Sequence, residues 1–356
     1  MTSEPVFGEH ACFQHLSEKR QAWYRKVTDN LTKQYPPEVL ILEPVEGCVW
    51  RCPSCAIAGI RHRGDDGGSA SDQRHMSIET ARMTIKQMIC LDWTDTRIEL
   101  SGHGEPTLHP GLVQMVTEIR KIARWLPISL VTSGEGLLRK PGPLAHIMDL
   151  FGAGVNYLAI TRHKPEVIKK IDDIVGLVAR QGVQLQVFPE AWADRPDQRV
   201  RPPSKVLAYR DPPVTEGHLH VRRRNMAGAA FPLAADKRES PCARPFREIL
   251  IRHDGSVALC QDDWRGQYKC GSVVSDGLAA VWDGEPMNAA RRHLMTSRHD
   301  ISMCRSCNSE SVRPRHLPDP QHSMTILPPD DSTLSAVERA QSGQPYTRPV
   351  HRPWER

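Results

Sequence analysis

The segment Cys48-Val-Trp-Arg-Cys52-Pro-Ser-Cys55 brings three cysteines together with the spacing C-x3-C-x2-C. It comes shortly after Val39–Leu42, an apolar run that is typical of a buried strand. Three thiolates on one tight loop can hold three irons of a [4Fe–4S] cluster and leave the fourth iron open to another ligand. Structural zinc is the alternative, with His62 or His75 as a further ligand. The spacing thus predicts a metal or iron–sulfur centre directly after a strand.

Downstream of this loop, strand-like runs alternate with helix-like runs. Strands are expected at Arg97–Leu100, Ile128–Thr132, Val155–Thr161 and Val183–Phe188, and helices at Gly111–Arg124, Gly142–Leu150 and Pro165–Arg180. This βα alternation predicts an α/β fold in which parallel strands are joined by right-handed crossovers. Sheets of this kind bind their ligands at the carboxyl ends of the strands.

A second group of cysteines lies in the C-terminal third of the chain. Cys304-Arg-Ser-Cys307 is a CxxC pair, and Cys242 and Cys260 raise the group to four thiols. Cys260 follows His253-Asp254-Gly255, a hairpin signal between two strand-like runs. Four thiolates suit tetrahedral zinc and an iron–sulfur cluster equally well, so the residue types alone do not choose between them.

Length and composition limit the classes of protein to consider. The 356 residues suffice for about two domains, and the formal charge of +5 is too weak to argue for a nucleic-acid partner. No apolar run approaches the roughly 18 residues of a membrane span, and the N-terminus lacks the pattern of a secretory signal. We therefore expect a cytoplasmic protein without a membrane partner, whose ten cysteines bind metal or do redox chemistry.

The first cysteine segment resembles the cluster motif of the radical SAM superfamily. The resemblance implies that Cys48, Cys52 and Cys55 ligate a [4Fe–4S] cluster, with S-adenosylmethionine (SAM) on its open iron. Reductive cleavage of SAM would then produce a 5′-deoxyadenosyl radical, which requires an external one-electron donor of the flavodoxin or ferredoxin type. The family usually has an aromatic residue before the third cysteine, where this chain has Ser54.

A second match follows the expected strand Arg97–Leu100. Gly102-His-Gly104-Glu105-Pro resembles the Gly-Gly-Glu motif of the same family. Glycines allow close approach of the backbone to a ligand, and Glu105 would accept a hydrogen bond from the ammonium group of SAM. The resemblance places further cofactor contacts at the ends of the next two strands, at Ser133, Thr161 and Arg162.

The surroundings of the second cysteine group resemble the twitch domain, a shortened form of the SPASM domain of radical SAM enzymes. The matching segments include Arg224–Gly228, Pro245-Phe246, Cys260–Asp263, Gly271–Val273 and Val281-Trp282. The resemblance implies one auxiliary [4Fe–4S] cluster that is fully ligated by Cys242, Cys260, Cys304 and Cys307.

Three cysteines remain outside the two groups. Cys12 and Cys90 fall in helix-like segments and are expected to pack against neighbours. Cys270 is either a small buried residue or a thiol that returns a hydrogen atom to a substrate radical, which would make the protein an epimerase.

These observations predict a partial (β/α)6 TIM-like barrel with a small C-terminal α+β auxiliary iron–sulfur domain. The expected division is a helical segment (1–37), the radical SAM core (38–190), a connector (191–217), the auxiliary domain (218–312) and a disordered Pro/Arg-rich tail (313–356).

The enzymes that the chain resembles act on aminocyclitols and sugars or on peptides. We expect oxidation or epimerisation of a small polar molecule, with a peptide or a nucleotide within nucleic acid as alternatives. A zinc-stabilised nucleic-acid-binding protein is the alternative of another class.

Overall fold

Short strands and amphipathic helices alternate along the chain. The computed structural model describes residues 34–49, 55–57, 73–139, 142–161, 165–187, 200–210, 227, 241–309 and 326–327. In chain order these residues form β1 (Val39–Leu42), β2 (Val45–Glu46), β3 (Arg74–His75), α1 (Ile78–Cys90), β4 (Arg97–Leu100), a 3-10 turn (Pro106–Leu108), α2 (Leu112–Ile122), β5 (Ile128–Thr132), α3 (Glu135–Arg139), α4 (Pro143–Ala153), β6 (Tyr157–Thr161), α5 (Pro165–Arg180), β7 (Gln184–Val187), β8 (Val206–Arg210), α6 (Arg244–Arg247), β9 (Glu248–Ile251), β10 (Ser256–Ala258), β11 (Lys269–Ser272), α7 (Leu278–Trp282), α8 (Glu285–Leu294), α9 (Ser302–Arg305) and β12 (Ile326–Leu327).

The strands form a ten-stranded sheet in the order β11-β10-β9-β1-β4-β5-β6-β8-β7-β12. Every neighbouring pair from β9 through β7 is parallel, whereas β10, β11 and β12 pair antiparallel. The α/β class and the mostly parallel sheet are thereby confirmed.

The two faces of the sheet differ because side chains alternate along a strand. Leu40, Ile98 and Leu130 point to one face and belong to the same buried cluster as Ile85 of α1 and Met115 of α2. The opposite, inner face carries only small apolar clusters, such as Ile41 with Leu250 and Ala258, and Tyr157 with Val206 and Ala208. Helices therefore cover the outer face, while the inner face is left for the site.

One strand lies where the sequence predicted only a connector. β8 falls within residues 191–217, and it pairs parallel with both β6 and β7. Prolines flank this run on both sides, at Pro202-Pro203 and Pro212-Pro213, and they hide its strand character from a local pattern search. Two long-range partners decide its structure instead.

The edges of the barrel sheet are extended by C-terminal segments. The strand β9 of the auxiliary region pairs with β1, so this region shares one sheet with the barrel. β12 pairs antiparallel with β7 and lies within the tail that was predicted to be disordered. Pairing covers hydrogen-bonding groups that an edge strand would otherwise leave open. None of the described helices is long and apolar enough to cross a membrane.

Candidate functional site

The carboxyl ends of the parallel strands bring the predicted cofactor residues to one edge of the sheet. Glu43 follows β1, Ser101 follows β4 and Ser133 follows β5. The ends of β1 and β4 are level in the register, and β5 runs two residues farther, to Thr132. Thr161 is the buried last residue of β6. His253 follows β9 at the same edge, because β9 runs parallel to β1. Residues from both regions of the chain therefore meet at one end of the barrel.

The cysteine loop begins against the Gly-x-Gly-Glu-Pro segment. The amide of Gly47 donates to the carbonyl oxygen of His103 (3.2 Å), and the amide of Glu105 donates to the carbonyl oxygen of Gly47 (3.1 Å). Cys48, the next residue, is half-buried, as is Cys55. Cys52 and Arg162 lie outside the described residues, so their roles stay predictions.

Both glycines of the motif are required by contacts within the chain itself. A Cβ atom on Gly104 would lie 2.2 Å from the carbonyl oxygen of Val45 and 2.5 Å from that of Gly47. Gly102 has a φ of +133°, and a Cβ atom there would lie 2.9 Å from the Glu43 side chain. The sequence predicted close approach to a ligand. The structure shows close approach to the segment that leads into the cysteine loop.

The Glu105 carboxylate is buried and receives donors from two neighbouring loops. One oxygen accepts from the Thr107 amide (3.0 Å), the Thr107 hydroxyl (2.5 Å) and the Thr132 hydroxyl. The other accepts from the Ser133 amide (2.7 Å) and hydroxyl (2.5 Å). The structure thus brings Glu105 and Ser133 together. Their contacts tie the end of β4 to the end of β5, and contact with the SAM ammonium group stays a prediction.

His103, the middle residue of the motif, contacts both halves of the site. Its Nδ1 lies 3.0 Å from Glu43 Oε1, and its backbone amide donates to the same oxygen (2.8 Å). Its Nε2 lies 3.0 Å from the carbonyl oxygen of Gln261, the residue after Cys260. Its ring packs against Trp264, with 4.5 Å between the ring centroids. One buried side chain therefore joins the Gly-x-Gly-Glu-Pro loop to a loop of the second cysteine group.

Two buried carboxylates beside the cysteine loop are neutralised by cations of the chain. Glu46 Oε2 lies 2.6 Å from Arg252 Nη2 and 3.2 Å from His253 Nδ1. Glu46 Oε1 accepts from Arg74 Nη1 (2.9 Å). Glu43 Oε2 accepts from the backbone amide of His253 (3.2 Å). This network connects the segment before Cys48 with the hairpin between β9 and β10.

The charges in this network shift the pKa values in opposite directions. Burial alone would raise the pKa of Glu43, but His103, His253 and Arg252 outweigh burial, so the Glu43 pKa lies far below its usual range. Burial and the charge of Glu43 would raise the pKa of Glu46, but His253 and Arg252 outweigh both, so the Glu46 pKa falls to about 2. Burial would lower the pKa of His253, yet its carboxylate partners raise it to about 9. Glu43, Glu46 and His253 have possible metal-ligand atoms within 4.8 Å of one another. However, a histidine must be deprotonated to ligate a metal, and the raised pKa of His253 favours its protonated form. We interpret this network as an ion-pair junction.

The four cysteines of the second group are brought together and buried. Each is 7% exposed. Burial raises the pKa of all four thiols, and neighbouring thiols of the group contribute to the shift of Cys242, Cys260 and Cys304. Such a desolvated group of thiols becomes thiolate when a bound cation supplies positive charge.

Backbone amides that approach the cysteine sulfurs also suit a bound iron–sulfur cluster. The amide of Asp262 lies 3.4 Å from the Cys260 sulfur, and the amide of Ser309 lies 3.3 Å from the Cys307 sulfur. Hydrogen bonds to the ligand sulfurs are among the features that tune iron–sulfur clusters. Burial, mutual proximity and these donors fit the expected auxiliary cluster.

The remaining described cysteines lie in different surroundings. Cys270 is 3% exposed and belongs to the large hydrophobic cluster. Burial, with a contribution from Asp263, raises its pKa to about 12, so the thiol is neutral at ordinary pH. Cys90 is exposed at the end of α1, so the prediction that it packs in the interior is wrong. Cys12 lies outside the described residues.

The sequence analysis missed the junction residues Glu43, Glu46, Arg252 and His253 and the role of His103. A local signal existed for the acidic pair, since Glu43-Pro-Val-Glu46 separates a buried strand from the first cysteine. No local signal pairs these two glutamates with Arg252-His253, because the partners are far apart in the chain. Glu46 and Arg252, for example, are separated by 206 residues.

Comparison with protein families finds two matches in one chain. Residues 42–173 match the radical SAM superfamily, and residues 242–308 match SPASM, an iron–sulfur cluster-binding domain. The first match contains the cysteine loop and the Gly-x-Gly-Glu-Pro segment. The second begins at Cys242 and ends just after Cys307. Comparison with curated proteins finds no significant match.

Two solved structures of BtrN show a similar fold at low sequence identity. The crystal structure of BtrN in complex with AdoMet and 2-DOIA is 17% identical, with a TM-score of 0.57 over 79% of this chain and 96% of that chain. BtrN in an open conformation is 16% identical, with a TM-score of 0.50 over 79% and 94% of the two chains. Native anSMEcpe with bound AdoMet is 14% identical, with a TM-score of 0.45 over 86% and 97%.

The radical SAM domain implies a [4Fe–4S] cluster with SAM, and the SPASM-type domain implies an auxiliary iron–sulfur cluster. The four buried thiols fit the second cluster, and the mostly parallel sheet is the partial TIM barrel of such enzymes. This chain belongs to the radical SAM superfamily and carries a C-terminal iron–sulfur domain of the SPASM/twitch type.

Proposed function

We propose that the protein is a radical SAM oxidoreductase that removes two electrons from a small polar substrate. The observation that carries this proposal is the contact between His103 and the carbonyl oxygen of Gln261 (3.0 Å). It seats the loop of Cys260 directly against the Gly-x-Gly-Glu-Pro segment. A substrate at this edge of the barrel would lie between the cofactor that abstracts hydrogen and the group that accepts an electron.

The proposed site residues follow from the two cysteine groups and the strand ends. Cys48, Cys52 and Cys55 would hold the SAM cluster, and Cys242, Cys260, Cys304 and Cys307 the auxiliary cluster. The backbone around Gly102 and Gly104, with Glu105, Ser133, Thr161 and Arg162, would form the surroundings of SAM. When bound, the first cluster and SAM supply a carbon radical that takes a hydrogen atom from the substrate.

Oxidation of an alcohol illustrates the electron balance. The substrate carbon loses a hydrogen atom, after which the hydroxyl group loses a proton and the carbon centre loses one electron. The product would be a carbonyl compound, and the auxiliary cluster would supply the acceptor for the electron. The reductant that starts the reaction would be an external protein of the flavodoxin or ferredoxin type.

The inner face of the sheet supports a polar substrate. Arg97 Nη1 donates to Glu99 Oε2 (2.6 Å) and to the Ser129 hydroxyl (2.6 Å). The Ser101 hydroxyl donates to Glu99 Oε1 (2.7 Å). Tyr157 lies on the same face, level with Ser129, so the inner face of the sheet carries several polar side chains. Such a lining favours hydroxyl or amino groups over an apolar chain.

Oxidation is favoured over epimerisation by the position of Cys270. A thiol that returns hydrogen must reach the substrate carbon, whereas Cys270 is packed within the hydrophobic cluster. Epimerisation is therefore the alternative reaction that the experiments must distinguish from oxidation. It predicts that a hydrogen from the solvent appears at the substrate carbon and that Cys270→Ala abolishes this exchange.

The proposal is tested on protein purified without oxygen. We expect about eight irons per chain, for two [4Fe–4S] clusters, and 5′-deoxyadenosine from SAM after reduction. The triple variant Cys48→Ala/Cys52→Ala/Cys55→Ala should keep about half of the iron and make no 5′-deoxyadenosine. A colourless, zinc-loaded wild type that does not cleave SAM would contradict the proposal.

The substrate class is then tested with aminocyclitols, amino sugars, short peptides and an oligonucleotide. We expect a two-electron oxidation product, equal in amount to the 5′-deoxyadenosine, from one of the first two classes. Product from a peptide or an oligonucleotide would overturn the assignment of a small substrate. It would leave the radical reaction in place.

A further inference from the structure

Two buried arginines lie beside the four cysteines of the SPASM-type domain. Arg244 follows Cys242 by two residues, and Arg298 precedes Cys304 by six. Both side chains are buried, and Arg298 is only 2% exposed. A guanidinium group keeps its positive charge in proteins, and burying such a charge is costly unless an opposite charge lies close by.

The counter-charges of Arg244 are carboxylates. Its Nη1 lies 2.9 Å from Glu248 Oε1, and its Nη2 lies 3.9 Å from Asp262 Oδ2. These carboxylates partly offset the charge of Arg244, which also acts on Cys242, Cys260 and Cys307.

Arg298 faces the cysteines themselves. Its Nη1 donates to the carbonyl oxygen of Cys307 (3.4 Å). Burial raises the pKa of Cys242, Cys304 and Cys307, and in each case the charge of Arg298 acts in the opposite direction. The buried guanidinium group is thus held against the backbone of one cysteine of the group, where its positive charge can stabilise negative charge on the cluster.

We propose that Arg298 is the buried positive charge that raises the reduction potential of the auxiliary cluster. A cluster bound by four thiolates is already anionic, and a one-electron reduction adds another negative charge. A fixed cation nearby stabilises the reduced state more than the oxidised state, and the net charge around a cluster is one of the factors that set its potential.

This inference deepens the proposed function, and it rests on the proposed auxiliary cluster. An acceptor with a raised potential takes the electron from a substrate radical more readily, which favours oxidation. Burying the anionic cluster and burying the guanidinium group each cost free energy because both lose hydration. Their mutual attraction offsets part of that cost.

The test measures the potential directly and needs no substrate. The holoenzyme is titrated with dithionite through redox mediators, and the reduced clusters are followed by electron paramagnetic resonance. Addition of SAM changes the signal of the first cluster and so separates the two. In Arg298→Gln we expect a lower potential of the auxiliary cluster than in the wild type, and an unchanged potential of the first cluster.

Arg298→Lys distinguishes the charge from the hydrogen bond. It keeps the charge, so its auxiliary potential should lie near that of the wild type. Arg291→Met is the matched control, because Arg291 is equally buried but donates to the carbonyl oxygens of Pro245 and Trp282. It should lower the thermal stability without shifting either potential.

Several outcomes would overturn the inference. Equal auxiliary potentials in Arg298→Gln and the wild type would do so, as would equal lowering by Arg298→Gln and Arg298→Lys. If Arg298→Gln loses the auxiliary irons, retention of the cluster at its normal potential in Arg298→Lys supports the role of charge, and its loss there refutes it. A wild type that holds both clusters but oxidises nothing refutes only the proposed function.

Discussion

His103 Nε2 lies 3.0 Å from the carbonyl oxygen of Gln261, although 158 residues separate the two in the chain. The same imidazole lies 3.0 Å from Glu43 Oε1 through its other nitrogen. The loop that resembles a SAM-binding motif is thereby fixed to the loop of an auxiliary cysteine. Together with the pairing of β9 with β1 and the ion pairs of Glu46, this side chain therefore contributes to the spacing between the two cluster sites.

Replacing His103 should loosen the loop that contains Cys260 and Gln261 more than the rest of the protein. His103→Leu leaves the Gln261 carbonyl and the Glu43 carboxylate without this partner, at a cost of about 1–3 kcal/mol. We expect a lower thermal midpoint and loss of auxiliary iron before iron of the first cluster. Iron analysis combined with thermal unfolding measures both.

His109→Leu is the matched control for this prediction. His109 is also buried, but its nitrogens contact the Met76 carbonyl oxygen (2.9 Å) and the Gly111 amide (3.1 Å), both within the radical SAM domain. It should lower stability while the auxiliary iron is retained. Equal loss of auxiliary iron in the two variants would contradict a specific role of His103.

Gly104→Ala should displace the first cysteine loop. The added methyl group would lie 2.2 Å from a backbone oxygen, which no side-chain movement can relieve. We expect the first cluster to be lost while the auxiliary irons remain, as measured by iron content and electron paramagnetic resonance. Gly152→Ala, in the helix α4, meets nothing within 4 Å and should stabilise by about 0.5–1 kcal/mol. If Gly104→Ala keeps both clusters, the proposed seating is wrong.

Glu105→Gln separates a structural role from a ligand-binding role. An amide group would place N–H donors against the Thr107 or Ser133 donors that now face carboxylate oxygens. We expect a loss of about 1–3 kcal/mol in stability and weaker SAM binding. Glu79→Gln, at an exposed ion pair with Arg82, should leave the stability nearly unchanged because solvent screens that pair. Weaker SAM binding at unchanged stability would instead show that the carboxylate acts on the ligand alone.

The ion-pair junction predicts a stability that depends on pH. The pKa of His253 is about 9 in the folded protein, above its ordinary value of 6.5. The stabilisation by its protonated form is therefore complete below pH 6.5 and is lost as the pH rises through 9. It amounts to at most about 3 kcal/mol.

His253→Gln should remove this dependence. The difference in stability between the wild type and the variant should be large at pH 6 and small near pH 10, as measured by unfolding at a series of pH values. The lowered pKa of Glu46 acts on the acid side, where its stabilisation disappears as the pH falls toward about 2. Parallel curves for the wild type and His253→Gln would rule out a protonated His253 in the junction.

Cys270→Ala should leave the radical reaction intact. The thiol is buried in the hydrophobic cluster, so we expect only a small loss of stability, an unchanged yield of 5′-deoxyadenosine and unchanged product. The reaction is run in deuterated water and the product is examined by mass spectrometry. Solvent deuterium on carbon that disappears in the variant would show that Cys270 donates hydrogen.

Much of this protein follows from short-range sequence patterns. The three-cysteine segment, the Gly-x-Gly-Glu-Pro segment and the CxxC pair each place their chemical groups within a few residues. The βα alternation predicted the parallel strands from β4 to β7, because hydrophobic periodicity reflects which face of each element is buried. The sequence also argued against a membrane span, because no apolar run approaches the roughly 18 residues that such a span needs.

Only the tertiary structure decided how these pieces meet. Neither the strand β8 among prolines nor the pairing of β9 with β1 has a local signature, because distant partners supply the hydrogen bonds. The contacts of His103 with Gln261 and of Arg298 with Cys307 likewise arise from packing. A side chain whose partner is remote leaves no periodic trace in the sequence, since its stabilisation depends on the position of that partner in space rather than on its neighbours in the chain.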